Sequence, residues 1–135
     1  MPFWSRIFFP KKWHTPSVQL DGGGSFLVRA VGESFFQRRL NKIVGGKTED
    51  IHNKYVDVLL VPYRNKHDKN AVAVTIDGKI VGHLSRENAV LLRKQMAADG
   101  HHGKSALCPG RIINDWRRSH DDVVIYGVEL DISVL

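Results

Sequence analysis

The residues best equipped for chemistry lie in one short stretch, Arg64-Asn65-Lys66-His67-Asp68-Lys69-Asn70. Arg64, Lys66 and Lys69 can each neutralise a phosphate, and Asn65 and Asn70 can donate to phosphate oxygens or base edges. His67 offers a flat ring that can stack on an unpaired base, an interaction worth about 1–3 kcal/mol per base. Asp68 is the discordant member. A carboxylate repels a phosphate backbone, so it suits the acceptance of a hydrogen bond from a free hydroxyl, such as the 3′-OH at a strand end. It equally suits a cap that accepts nearby backbone N–H groups and shapes the loop. The two roles are compatible.

Elsewhere the means for catalysis are thin. There is no Gly-Lys-Ser/Thr phosphate loop, no cysteine pair and no His-Glu-x-x-His. His101 and His102 are adjacent, so on any regular element they point apart, and a solvated loop accounts for them better than a metal site. His120, Asp121 and Asp122 form an acid/base cluster on paper, but a turn before a strand explains them equally well. Cys108, the only cysteine, sits in an apolar strand and reads as a buried, inert thiol. A lone cysteine fits a reducing, cytoplasmic setting. The expectation is a binding module rather than an enzyme, with no cofactor and no metal.

Charge points the same way. Lys and Arg total 20 against 14 for Asp and Glu, a formal net charge of +6 over 135 residues. Such an excess favours polyanions, nucleic acid first and an anionic membrane surface second, although a basic surface also serves solubility. No apolar run approaches the roughly 20 residues of a spanning helix. Met1–His14 mixes Phe, Trp and Pro with Arg6, Lys11 and Lys12, and its apolar core is too short for a signal peptide. Three readings stay open for this arm: an anchor in a membrane interface, a stacking surface for single strands, or packing against its own domain or a second copy. Thr15–Ser25, with Pro16 and Gly22-Gly23-Gly24, reads as a linker. The expected division is an arm and linker over 1–24 and one domain over 25–135. The alternative function is a protein-interaction or membrane-associated adaptor acting through the arm.

These candidates need a scaffold, and the pattern supplies one. Phe26–Val31 reads as a strand. Ser34 is placed to cap a helix over Phe35–Val44, in which Phe36, Leu40 and Ile43 form an apolar stripe. Val56–Val61 is an unbroken apolar run, a strand buried on both faces. Val72–Ile76 and Lys79–Leu84 follow as strands joined by an Asp77-Gly78 hairpin turn. Ser85 caps a second helix, Arg86–Ala98, with Ala89, Leu92 and Met96 inward. Ser105–Ile113 is a strand that Pro109-Gly110 marks as an edge or a bulge. Asn114–Asp122 is a polar loop, and Val124–Ile132 alternates as the last strand. Six strands and two helices predict a mainly β fold, a small OB-like barrel.

Three segments carry a resemblance. Ala-Val-Gly-Glu-Ser-Phe-Phe (30–36), His-Asp-Lys-Asn-Ala-Val-Ala-Val (67–74) and Val-Gly-His-Leu-Ser-Arg-Glu-Asn-Ala (81–89) resemble the HIRAN domain family, over a span from about Phe26 to Ile132. That family occurs at the N-termini of some fork-remodelling DNA translocases and as a stand-alone bacterial protein. The resemblance implies an OB-like six-stranded barrel with two helices. It also implies capture of the 3′ end of single-stranded DNA, at damaged or stalled-fork DNA, in a pocket gripping the terminal nucleotides. On that basis Phe35 and Phe36 correspond to a base-stacking aromatic pair, with Phe36 also on the core stripe. Asn65, His67 and Asp68 fall on the end-binding loop, and Arg86 matches a phosphate-contacting basic residue at a helix N-terminus. The chain departs from the family pattern in lacking phenolic hydroxyls at Phe35 and Phe36. It also has Ser34 where an arginine is used, Lys66 in place of a loop proline, and His67 where tyrosine is usual. The expected DNA-binding set is Phe35, Phe36, Arg64, Asn65, Lys66, His67, Asp68, Lys69 and Arg86.

Overall fold

A computed structural model of the chain describes residues 18–45, 53–63, 66–115 and 124–134. Its elements in order are β1 (Val18–Gln19), β2 (Val28–Arg29), a 3-10 turn (Glu33–Phe36), α1 (Gln37–Val44), β3 (Asn53–Pro62), β4 (Val72–Ile76), β5 (Lys79–His83), α2 (Arg86–Ala98), β6 (Ala106–Asn114) and β7 (Tyr126–Leu130). Strands β2 to β7 form one sheet in the order β2-β7-β6-β3-β4-β5, with every neighbouring pair antiparallel. The fold is thus mainly β with two helices, as the pattern predicts.

The sheet curls until its two outer strands meet. Just past β2, Val31 N–H donates to the His83 carbonyl at 2.7 Å, and His83 N–H donates back to the Val31 carbonyl at 2.9 Å. That one bridge joins the first and last strands of the six and turns the curved sheet into a small OB-like half-barrel. Gly82 makes the approach possible. A Cβ there would sit 3.0 Å from the Val31 carbonyl oxygen and 3.3 Å from Ala30 Cβ.

The long apolar strand earns its pattern from burial on both faces. Val58 and Leu60 join the main core with Leu40, Val74, Leu92, Ile112 and Val128. Leu59 and Val61 pack on the opposite face with Ala73 and Leu107. Both helices feed the main core, α1 through Leu40 and Val44, α2 through Ala89, Leu92 and Met96. A bulge falls between Val74 and Thr75. The fully buried Thr75 hydroxyl is satisfied there by donating to the Leu59 carbonyl at 2.8 Å.

Three expectations are revised. The first concerns β6, which is central rather than an edge: β3 pairs along its length, and β1 and β7 share its other side. Pro109 is tolerated because its missing N–H faces a place where another donor arrives. Asp131 N–H donates to the Pro109 carbonyl at 2.9 Å, and the Asp131 carbonyl, which a regular ladder would pair with residue 109, accepts Gly22 N–H at 2.8 Å.

The second is the stretch read as linker. Val18–Gln19 pairs in parallel with Ala106–Leu107, and the glycine run wraps the buried Asp131 carboxylate. That group accepts Gly24 N–H at 2.9 and 3.0 Å and Phe26 N–H at 3.4 Å. Phe26 consequently sits at φ +48°, and the strand expected over Phe26–Val31 shrinks to Val28–Arg29.

The third is Ser34, which caps nothing. Gly32 at φ +75° leads into the 3-10 turn without a side-chain cap. By contrast, Ser85 does cap α2, its Oγ accepting Asn88 N–H at 3.1 Å.

Replacing Gly82 by Ala should destabilise the protein by about 1–3 kcal/mol, because the new methyl has to displace backbone rather than a flexible side chain. Urea denaturation measures this directly, and an unchanged midpoint would mean that the closure tolerates more room than its distances imply.

Candidate nucleic-acid interface

Closing the half-barrel places the 3-10 turn beside the end of β5. The turn is held at both ends. Arg29 forms an ion pair with Asp115 at 2.6 Å and approaches Glu33 at 3.6 Å, the two carboxylates being buried. On the other side the Gln37 amide behaves like an extra residue of sheet. Its Nε2 donates to the Tyr126 carbonyl at 2.9 Å and its Oε1 accepts Tyr126 N–H at 2.7 Å. With Glu33 turned in and Gln37 fastened, the residues between them divide. Phe36 is half-buried against the core, whereas Phe35 is 86% exposed.

Phe36 is part of a row of rings. Its centroid lies 6.5 Å from that of His83, and His83 lies 5.7 Å from Tyr63. The Arg39 guanidinium stands 5.3 Å from the Phe36 ring while donating to the Ile80 carbonyl at 2.8 Å. Tyr63 is also the foot of the polar loop, since its N–H donates to the Ala71 carbonyl at 2.9 Å. The rings therefore connect the 3-10 turn to the loop that the sequence marks for binding.

Within that loop Lys66, His67, Lys69 and Asn70 are exposed and Asp68 is half-buried; Arg64 and Asn65 lie outside the described residues. Asp68 takes the capping role: its Oδ1 accepts Asn70 N–H at 2.8 Å. Helix α2 fastens the loop from below. Arg86 Nη2 donates to the His67 carbonyl at 3.1 Å, and Arg93 Nη1 donates to the Lys69 carbonyl at 2.9 Å. These arginines are seven residues apart, two helical turns, and so share a face. A guanidinium carries five N–H donors, so a single carbonyl does not exhaust Arg86.

Burial lowers the His83 pKa from its ordinary 6.5. Tyr63, His83 and Arg93 had no place in the sequence-derived set. His83 stands inside the Val-Gly-His-Leu segment already singled out, and Arg93 shows as the i, i+7 partner of Arg86, so both left a signal. Tyr63 directly precedes the basic loop in sequence, and an aromatic at that junction is the signal it left.

The remaining candidates separate cleanly. Cys108 is buried and its thiol is pushed up to about 12, first by burial and then by the Asp131 and Asp57 charges, so it is no nucleophile near neutral pH. Among the described residues no group of three or more His, Cys, Asp or Glu could hold a metal, and no helix is long and apolar enough to cross a membrane. His120, Asp121, Asp122 and the arm Met1–His14 lie outside the described residues. No protein-family model, curated protein or solved structure matches this chain.

Because the fold favours neutral His83, the unfolded chain takes up this proton first as pH falls. Its contribution to stability is complete above about pH 6.5 and is lost as the pH drops from there toward the lower folded value. Urea midpoints measured from pH 8 to 5, on the order of a unit apart, should decline on the acid side less steeply in His83→Gln than in the parent. Parallel curves would show that His83 titrates alike in both states.

Proposed function

We propose that this protein is a non-enzymatic module that binds single-stranded DNA at an exposed 3′ end, as its resemblance to the HIRAN family implies, and that it works in the cytoplasm on damaged or stalled-fork DNA. The observation that carries the reading is Phe35, a large aromatic at 86% exposure, which adjoins in sequence the Phe36 ring from which a row leads through His83 to Tyr63 at the foot of the basic loop. An exposed ring is an unfavourable surface for water and a good one for an unstacked base.

In this reading Phe35 stacks on a base near the terminus, and Phe36, His83 and Tyr63 form the wall behind it. Lys66 and Lys69, together with Arg64, neutralise the approaching phosphates. Arg86 does so from the first turn of α2, where unpaired backbone N–H groups face the same anion. Asn65 and His67 meet the last sugar or base. Asp68, already pinned by the Asn70 amide, is a preoriented acceptor for the terminal hydroxyl. A duplex offers neither an unstacked base nor a free end in this position, so the preference is for a single-stranded terminus.

Fluorescence anisotropy on labelled oligonucleotides tests the separate parts. Phe35→Ala should weaken binding about tenfold, in line with the loss of one stacked base, without altering the thermal transition, since the ring makes little of the core. Affinity should fall steeply with salt as phosphate contacts release counterions. A 3′-phosphate in place of the 3′-hydroxyl should bind more weakly. Equal affinity for the two ends removes the role given to Asp68, and a flat salt response removes those given to the cations.

A further inference from the structure

Strand β3 outruns its neighbour. β4 pairs with it only over Leu59–Pro62 before the chain turns at Asp77-Gly78, whereas β6 pairs with it from Asn53 onward. Among the described residues no strand lies beside Asn53–Val58 on the β4 side. An open groove of about 780 Å³ occupies that place. Lys54, Tyr55, Val56 and Asp57 all line it. Successive strand residues point to opposite faces, so a groove touching four in a row wraps the edge of the strand rather than one face. An edge presents main-chain N–H and C=O groups, the template for another strand.

The groove has its own charge. Arg39 and Lys42 reach it from α1, Lys54 from β3 and Lys79 from the hairpin, against Asp57 and Asp77. All six are exposed. Between them Ile43, Val56 and Ile76 supply an apolar floor. None of these residues belongs to the DNA-contacting set above.

We propose that this groove docks an extended acidic peptide segment of a partner protein, which joins the sheet as an added strand beside Asn53–Asp57. The peptide main chain would pair with the free edge. Its apolar side chains would settle on the floor and its alternate carboxylates would meet the cations. A polynucleotide fits less well. It has no ladder of amides to give the edge, and its unbroken row of phosphates would run over Asp57 and Asp77, which a peptide avoids by placing its acids at chosen positions.

The probe is a fluorescein-labelled peptide of about eight residues, alternating valine and glutamate and long enough for one strand, titrated into the full chain. It should bind about tenfold or more tighter than the valine–lysine counterpart. Lys54→Glu combined with Lys79→Glu should cost about tenfold in peptide affinity and leave oligonucleotide affinity within about twofold, since both side chains are exposed and distant from the core. Hydrogen exchange on the unaltered protein supplies the decisive readout: amides within 53–57 should gain protection when the peptide is added. Equal binding of the two peptides, or binding without that protection, overturns the proposal. So does protection of this strand by an oligonucleotide and not by the peptide, which would assign the groove to nucleic acid. The proposal stands apart from the DNA-end reading: failure of that reading would leave the peptide and hydrogen-exchange measurements unchanged.

Discussion

Two hydrogen bonds, exchanged between Val31 and His83, decide what this molecule can do. A six-stranded sheet left open would carry the turn of Phe35 and Phe36 beyond one margin strand, β2, and the polar loop on the β3–β4 connection toward the other, far apart in the strand order. Joining the margins makes them neighbours. The bond lengths of 2.7 and 2.9 Å require the backbones of residues 31 and 83 to approach as in a regular ladder, and a Cβ at 82 would crowd the Val31 carbonyl and Ala30 there. The same residue that supplies the closing carbonyl and amide, His83, also supplies the ring standing between Phe36 and Tyr63. Closure of the barrel and assembly of the ring row are thus one event, and a change that opens the first disperses the second.

The polar loop depends on that scaffold in a different way. Little apolar contact holds an exposed loop, so its shape has to come from directed bonds. Here three act together: Asp68 onto the Asn70 amide, Arg86 onto the His67 carbonyl and Arg93 onto the Lys69 carbonyl. Each engages backbone rather than another side chain. This fixes the course of the chain while Lys66, His67 and Lys69 stay exposed. A binding loop ordered in advance loses less conformational entropy when a ligand arrives. The carboxylate that looks misplaced in a basic loop therefore has a structural reason to be there, whatever further contact it makes.

Most of the fold was legible because its signals are local. The period-two strands, the Asp77-Gly78 turn and the Ser85 cap each need only a few residues in sequence, and all three stand in the structure. What was not legible depends on partners far along the chain. A glycine run followed by phenylalanine reads as a linker until Asp131, more than a hundred positions away, supplies the acceptor for its amides. Pro109 reads as an edge marker until Gly22 provides the donor that proline lacks. Ser34 has the right chemistry for a cap, but the neighbouring Glu33 is drawn inward by Arg29, and the helix begins through a 3-10 turn instead. For the candidate site the same division holds. The loop and the phenylalanine pair announce themselves by composition, and Tyr63 adjoins the loop in sequence, whereas the His83 ring comes to stand between Phe36 and Tyr63 only through the curvature of the sheet.

The distribution of charge follows from the same long-range contacts and gives the surface more positive character than the composition alone. Glu33 and Asp115 are buried around Arg29, Asp131 is buried beneath the glycine run, and Glu129 is paired with Arg111 at 2.7 Å. These carboxylates are engaged by directed N–H groups and by two guanidinium groups, Arg29 and Arg111. Lys42, Lys54, Lys66, Lys69 and Lys79 are all exposed. A lysine can extend its ammonium to water while its stem covers apolar surface, so cations collect outside as acids are drawn in. Interactions between exposed charges fade beyond a Debye length of about 8 Å at physiological salt. An incoming anion therefore responds to the nearest lysines and arginines and not to the formal total. Among the described residues two such neighbourhoods stand out, one around the loop on α2 and one along the unpaired part of β3. They differ in what accompanies the charge: a row of partly covered rings in the first, a strand edge in the second. That difference, and not the sign of the field they share, is what would separate the two proposed ligands, one with bases to stack and one with amides to pair.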